Sequence, residues 1–396
     1  FYLDSTPTHS YMKYLYKYPQ GEFPYQDLVE TNGRRSREEL EYELIDTGVF
    51  DQDRYFDVFV EYAKGGPEDI LIQITAHNRG PEAARLHLLP TLWFRNTWSW
   101  KEGAPKPNLR EAEGAIRASH PELGEYTLTC DGSPELLFTE NESNLLRLWG
   151  QPNATPWVKD AFHQYVVAGN GDALNPAKTG TKAAARYILE VPAGDASAVR
   201  LRLSAAAPAE APHAAFGEGF DATLAARLAD ADEFYDRITP PSLSEDERRV
   251  HRQALAGMLW SKQYYLFDVD TWLKEHDAHP LVGVAKRTVR NAEWFHMFNG
   301  DIISMPDKWE YPWYAAWDLA FHTVALGLVD FDFAKEQLLL MLRSLYAHPN
   351  GQIPAYEWNF SDVNPPVHAW ATLFLYRVER DLGREDIKFL ERSFQG

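Results

Sequence analysis

The sequence predicts an antiparallel β-sandwich domain followed by an all-α toroid, the toroid being incomplete in this chain. Residues 1–204 contain many short, alternating apolar segments separated by Gly, Pro, Asn and Asp, with no long helix between them, which favours a sandwich. Residues 246–396 show helical periodicity interrupted by alternately short and long links, which is typical of helical hairpins arranged in a ring. A length of 396 residues accommodates two such domains.

The clearest strand signal in the first domain is a predicted β-hairpin. Ile70, Ile72 and Ile74 alternate with their neighbours, turn residues follow at 77–81, and the extended pattern resumes at 85–89. Shorter segments of the same character predict further strands at 55–62, 126–130, 136–138, 165–167, 185–191 and 199–204.

The composition becomes Ala-rich and acidic over 205–245, which predicts a helical linker. Within it, a helix is predicted over 220–238 and is ended by the two prolines at 240 and 241. Ser244 has Glu247 three residues later, a capping-box spacing that predicts the start of a helix running to about Tyr265. Further helices are predicted at 314–329, 333–347, 367–382 and 385–394, with long links at 266–313 and 348–366.

Composition narrows the classes of partner. The formal net charge of −19 argues against nucleic acid and anionic membrane surfaces, since both require a clustered positive face. Trp, Tyr and Phe make up 14% of the residues, which suits either a sugar-binding cleft or an aromatic core. His276, Asp277 and His279 lack the spacing of a zinc site, so no metal and no cofactor are predicted.

Two features concern location and completeness. The single cysteine, Cys130, excludes an internal disulfide and predicts a reducing, cytoplasmic location. The chain opens at Phe1 without an initiator Met, so we expect a fragment that is truncated at both ends and that a leader could precede in the whole protein.

The segment 309–322 carries the predicted chemistry. Cleavage of a glycosidic bond needs one carboxylic acid to protonate the leaving oxygen and a second carboxylate across the sugar ring. Asp318 is the predicted acid, because the surrounding aromatic residues would desolvate it and favour its protonated form. Its alternative role is that of an aspartate that caps or salt-bridges a helix.

A second segment, 351–360, combines a carboxylate with aromatic and amide side chains. Glu357 is predicted to bind a sugar hydroxyl or to act as a base, and Trp358 to stack on a sugar ring. In the alternative interpretation, Glu357 pairs with an arginine and Trp358 packs beneath the loop.

Three stretches of sequence resemble glycoside hydrolase family 63, the family of processing α-glucosidase I, and particularly its large bacterial members. Residues 78–83 with 88–98 look like the sandwich domain of those proteins, and residues 311–318 and 351–358 look like their catalytic barrel. The resemblance implies a β-sandwich joined to an (α/α)6 barrel and hydrolysis of α-glucosidic bonds with inversion at the anomeric carbon.

The resemblance also implies residue roles. The general acid falls on Asp318, whereas the general base is expected downstream of this chain, so that the chain alone should be inactive. The sequence predicts oligosaccharides or small α-glucosides as substrates. The side chains predicted to line the sugar site are Trp309, Glu310, Tyr311, Trp313, Trp317, Tyr356, Glu357 and Trp358.

Two alternatives remain open at the level of sequence. A glycoside phosphorylase would use phosphate in place of water and would need a basic pocket, for which Lys286, Arg287 and Lys308 are the candidates. A non-catalytic carbohydrate-binding protein would use the same aromatic loops without cleaving sugar.

Overall fold

The computed structural model describes residues 1–100, 103–205, 215–283, 289, 292–305, 307, 311, 313–348, 350–356, 362 and 364–396. These residues form two compact units, one of Phe1 with Ser10–Asp230 and one of Tyr2–His9 with Ala231–Gly396. None of the helices in these ranges is both long enough and apolar enough to cross a bilayer.

The described strands, in chain order, are β1 (Tyr2–Ser5), β2 (Tyr11–Pro19), β3 (Tyr55–Gly66), β4 (Asp69–Asn78), β5 (Ala84–Leu88), β6 (Thr91–Trp93), β7 (Asn108–Ala112), β8 (Ala115–His120), β9 (Gly124–Cys130), β10 (Glu135–Thr139), β11 (Thr179–Gly180), β12 (Lys182–Val191), β13 (Ala196–Ser204), β14 (Lys262–Asp268) and β15 (Phe298–Ser304). The described α-helices are α1 (Tyr25–Arg34), α2 (Leu145–Trp149), α3 (Ala161–Ala168), α4 (Glu218–Ile238), α5 (Glu245–Trp260), α6 (Val269–Glu275), α7 (Ala316–Leu326), α8 (Phe331–Met341), α9 (Val367–Asp381) and α10 (Ile387–Gln395).

Two antiparallel sheets build the first unit. The strands of the larger sheet follow the order β2-β3-β4-β13-β9-β8-β7-β11 in this unit, and the smaller sheet has the order β10-β12-β5, with β6 also paired to β12. Both sheets contribute to one hydrophobic core, in which Phe56 and Leu201 of the larger sheet meet Leu86, Phe138 and Ala185 of the smaller one. Two sheets that share one core are compatible with the predicted β-sandwich.

The predicted hairpin around residues 77–81 is wrong in its pairing, although both strands exist. β4 pairs with β3 and β13 in the larger sheet, whereas β5 pairs with β12 in the smaller sheet. The chain therefore crosses between sheets directly after Asn78. This crossing is stabilised by the fully buried Asn78 side chain, which donates to the carbonyl oxygens of Glu82 at 2.7 Å and Val191 at 2.9 Å.

The strand predicted at 165–167 is also wrong, because these residues lie in helix α3. The helix ends at Gly169, whose φ of 69° suits a residue without a side chain. Phe162 of α3 packs against Leu137 and Ala184, so the tertiary contact of one helix face outweighs the local strand propensity of this short segment.

The second unit begins its helical part as the capping box predicts. The Ser244 side chain accepts a hydrogen bond from the Glu247 backbone, and the Glu247 carboxylate accepts one from the Ser244 backbone at 2.7 Å. Helix α5 nevertheless ends at Trp260 instead of about Tyr265. The following residues form β14, which pairs antiparallel with β15 over seven residues, where the sequence predicted a helix end and a long link.

The structure contradicts the predicted (α/α)6 toroid. In the described part of the second unit, α7 packs against α5, α8 and α9, and α10 packs against α8 and α9, beside the two-stranded β14–β15 sheet. This arrangement is a cluster of helices with a two-stranded sheet and is not a ring of helical hairpins. Helical periodicity identifies which face of a helix is buried, but it does not identify the element against which that face packs. In addition, the segments of β14 and β15 were predicted as a helix end and a long link, whereas they pair with each other as strands.

Candidate functional site

The backbone brings the two predicted chemical segments together. Ala315 forms an antiparallel bridge with Tyr356, and the Ala316 N–H donates to the Ala355 carbonyl at 2.9 Å. Helix α7 starts at Ala316, so that Trp317 and Asp318 lie in its first turn, immediately beside the loop that contains Tyr356. Two segments far apart in the sequence thus form one local structure.

A cleft of about 260 Å³ lies at this junction. Trp317 lines it, and 42% of this side chain is exposed, which leaves part of the indole ring available to a ligand. The remaining described lining residues come from the ends of α8 and α9 and from the two adjoining loops: Ala316, Met341, Gly351, Gln352, Ile353, Asn364, Pro365, Pro366 and His368.

Aromatic rings extend from the cleft along the exposed surface of α7 and α9. Trp317 meets Phe321 edge-on at 6.1 Å between ring centroids, and Phe321 lies 5.9 Å from Trp370. Tyr311 and Trp313 form a separate close pair at 4.3 Å, and neither belongs to the described lining of the cleft.

Tyr356 is held by a polar contact. Its hydroxyl donates to the Asp362 carboxylate at 2.9 Å, which ties the loop carrying Tyr356 to the segment before α9. Four of the predicted sugar-site residues lie outside the described residues, as do all three cations of the phosphorylase alternative: Trp309, Glu310, Glu357, Trp358, Lys286, Arg287 and Lys308.

Asp318 is half-exposed and lies beside the cleft without belonging to its described lining. Within the described ranges, its carboxylate has no hydrogen bond and no ion pair. Its charge does act on His322, one helical turn later. Burial lowers the pKa of His322, and the Asp318 carboxylate opposes that shift.

Two residues that the sequence did not single out contribute polar groups to the cleft. The His368 Nε2 lies 2.7 Å from the Leu338 carbonyl oxygen, and because a carbonyl only accepts, this nitrogen carries the proton. Burial lowers the pKa of His368 despite that hydrogen bond, which favours the neutral ring with Nδ1 as an acceptor. The Asn364 Nδ2 is a buried donor with no partner among the described residues.

A local signal for both residues is present in the sequence. Asn364 precedes Pro365 and Pro366, and consecutive prolines mark the start of α9, so side chains on either side of them gather at one helix end. No set of three or more His, Cys, Asp or Glu side chains in the described ranges is arranged to hold a metal ion.

Comparison with known proteins gives one relative and no family. No protein-family model matches the chain. It is 42% identical, over 440 aligned residues, to the uncharacterized protein YMR196W of Saccharomyces cerevisiae (strain ATCC 204508 / S288c). The alignment covers the whole of this chain but 40% of the relative, so the chain spans less than half the length of the curated protein it matches.

Proposed function

We propose that the second unit carries the sugar-binding side of a glycoside hydrolase that cleaves α-glucosidic bonds with inversion, with Asp318 as the general acid. The observation that carries this proposal is the bridge between Ala315 and Tyr356. It joins the turn bearing Trp317 and Asp318 to the second predicted sugar-binding segment, which is the juxtaposition that a shared substrate site requires.

The cleft chemistry supports a neutral sugar ring as ligand. The exposed Trp317 ring offers a flat apolar surface for stacking, and such rings are used in this way at ligand sites. Asn364 and His368 add polar side chains to the lining of the cleft, and amide and imidazole groups can form hydrogen bonds with sugar hydroxyls. At about 260 Å³ the cleft is slightly smaller than the usual ligand pocket of roughly 300–1,000 Å³, which favours one sugar ring over a longer chain.

We assign the role of proton donor to Asp318 because it follows Trp317 in the first turn of α7. A sugar bound over Trp317 would exclude water from the neighbouring carboxyl group and thereby favour its protonated form. No described cation lies against Asp318 to oppose that change. The protonated acid would then donate to the leaving glycosidic oxygen while a second carboxylate activates water.

The second carboxylate is proposed to lie outside these 396 residues. The described lining of the cleft contains no Asp or Glu, and Glu310 and Glu357 are assigned to substrate hydroxyls. The lack of a carboxylate in the described lining also favours a second candidate function. In this alternative the protein binds carbohydrate by stacking a sugar ring on Trp317 and does not cleave the glycosidic bond. For either function we propose a cytoplasmic location, supported by the buried free thiol of Cys130.

Turnover of α-glucosides by the protein expressed from its complete reading frame tests the proposal. Asp318→Asn should lower kcat by about 10²- to 10⁴-fold while KM changes little, because the amide keeps the shape but has no proton to donate. Asp332→Asn is the matched control, since Asp332 is exposed in the first turn of the neighbouring helix α8, and it should leave kcat unchanged.

Two further measurements separate the candidates. Proton NMR of the first-formed sugar should show the β-anomer for an inverting enzyme, and Trp317→Ala should weaken binding of the glucoside. Near-normal turnover by Asp318→Asn would remove Asp318 from the reaction. Binding that depends on Trp317, without any product, would instead support the carbohydrate-binding protein.

A further inference from the structure

We propose that the first unit holds a binding site for an uncharged, mainly apolar ring compound, in the cavity between its two sheets. This site is independent of the proposed glycoside hydrolase, because every described residue that lines it belongs to the first unit. The cavity has a volume of about 550 Å³, within the range of sites that take small organic molecules.

The cavity exists because the two sheets differ in width. Among the described residues of this unit, the larger sheet has eight strands and the smaller one has four including β6, and the larger sheet lines the cavity with residues of β2, β3, β4, β9 and β13. The segment from Leu86 to Leu92 closes one side, and three tyrosines of β2 close the other: Tyr14, Tyr16 and Tyr18. Alternate residues of a strand point to the same side, so these three rings form one wall.

Two ion pairs between β2 and β3 lie on one face of the sheet, and the three cavity tyrosines of β2 lie on the opposite face. Lys17 of β2 pairs with Asp57 of β3 at 2.6 Å, and Lys13 pairs with Glu61 at 3.6 Å, all at positions that alternate with those of the tyrosines. Among the described residues, no Asp, Glu, Lys or Arg lines the cavity, and the pKa of the His87 ring in its lining is lowered by burial and by the charges of Arg186 and Arg85. A charged ligand would therefore lose its hydration without gaining an opposite charge, which selects an uncharged one.

The floor of the cavity is aliphatic. Val58, Val60 and Ile74 belong to the buried core and also line the cavity, together with Leu128 and Leu201 from neighbouring strands. Such a floor offers no hydrogen bonds, whereas a sugar needs partners on several sides. The ligand is therefore mainly apolar.

The tyrosine wall selects a ring-shaped compound with a limited polar edge. Tyr16 and Tyr18 are 54% and 46% exposed, so their rings are open at the mouth and can stack on a flat ligand. Tyr62 stands deeper in the cavity, and burial, aided by the neighbouring Tyr14, raises its pKa to about 12, in agreement with a poorly hydrated interior. The phenol groups can bond a hydroxyl or carbonyl oxygen on the ligand.

Two fluorescent compounds that differ by one charge test the site. N-phenyl-1-naphthylamine is uncharged, and 1-anilinonaphthalene-8-sulfonate has the same rings with an added sulfonate. The uncharged compound should bind the protein saturably at one site, with a Kd on the order of 10–100 μM for a ligand of this size, and at least about tenfold more tightly than the sulfonate.

Variants at the mouth locate the binding. Tyr16→Lys removes a stacking ring and places a charge at the rim, and should weaken binding of the uncharged compound by about tenfold. Tyr264→Lys is the matched control, because Tyr264 is a strand tyrosine of the second unit with 50% exposure, and it should change nothing. If Tyr16→Lys does not fold, as judged by circular dichroism, Thr91→Trp fills the same mouth from the opposite side.

Four results would overturn the proposal. They are absence of saturable binding, equal or tighter binding of the sulfonate, equal loss in Tyr16→Lys and Tyr264→Lys, and displacement of the bound fluorophore by maltoheptaose. The last result would show that the cavity takes a neutral oligosaccharide instead.

Discussion

Replacement of Asn78 by alanine should destabilise the first unit more than any ordinary surface substitution. Asn78 is fully buried where the chain leaves β4 for the other sheet. Its Oδ1 accepts from the Gln20 side chain at 2.7 Å and from the Gly80 N–H at 2.9 Å. Its Nδ2 donates to the carbonyl oxygens of Glu82 and Val191, so all four hydrogen-bonding positions of the amide are used.

The magnitude follows from these four bonds. Each contributes about 1 kcal/mol net, and the backbone groups left behind at the buried residues Gly80 and Val191 lose their partners away from water. Glu82, by contrast, is exposed and its carbonyl can bind water instead. We therefore expect Asn78→Ala to lower the free energy of unfolding by about 3 to 4 kcal/mol. Asn78→Asp should cost at least as much, because it keeps both accepted bonds but turns an oxygen towards two carbonyl oxygens.

Urea unfolding of the protein, with hydrogen exchange to localise the effect, measures this loss. Amides of β4, and of the β12 end near Val191, should exchange faster in Asn78→Ala. Asn108→Ala is the control, since Asn108 makes one exposed hydrogen bond to Thr179 and should cost less than about 1 kcal/mol. A loss below about 1.5 kcal/mol for Asn78→Ala, or equal exchange in the two variants, would refute the role of this amide.

Two further predictions concern pH. Burial acts to raise the pKa of Asp57, but the hydrogen bonds and charges of Lys17 and Arg79 outweigh it and hold this pKa below its ordinary value. The stability that results is present above the pKa of the unfolded chain, about 3.9, and is lost as the pH falls through the pKa of the folded state. The urea concentration at the unfolding midpoint should therefore depend less on pH, between about pH 2 and 5, in Asp57→Asn than in the unsubstituted protein. The pKa of Tyr62 is raised to about 12 by burial, with help from Tyr14, so the unfolded chain loses this proton first. The free energy of unfolding should fall as the pH rises from about 10 towards 12, and this dependence on pH should be weaker in Tyr62→Phe. If the pH dependence is unchanged in Asp57→Asn or in Tyr62→Phe, the residue replaced is not the group responsible.

Local patterns accounted for much of the secondary structure. Period-two alternation placed β3, β4, β9 and β13 within a few residues, and the capping box at Ser244 marked the start of α5. These features are decided by neighbours in the sequence, through side-chain alternation and the hydrogen bonds of a helix end. The helix predicted over 220–238 is observed as Glu218–Ile238, ahead of the two prolines that were expected to end it.

The errors occurred where long-range contacts decide. Residues 165–167 adopt a helix because Phe162 finds an apolar surface on the smaller sheet, and β5 leaves its neighbour β4 because it pairs with β12, about a hundred residues further on. The toroid was wrong for a related reason, since β14 and β15 pair with each other across a separation that no local period shows.

By itself, the sequence determined where many of the strands and helices begin, and it singled out the two segments proposed to bind sugar. Only the tertiary structure decided that Ala315 pairs with Tyr356, that Asn364 and His368 join Trp317 in one cleft, and that a cavity remains between two sheets of unequal width. The physical reason is range: periodicity and capping are set within a few residues, whereas the choice of which apolar face or strand edge meets which depends on competition among all surfaces of the folded chain.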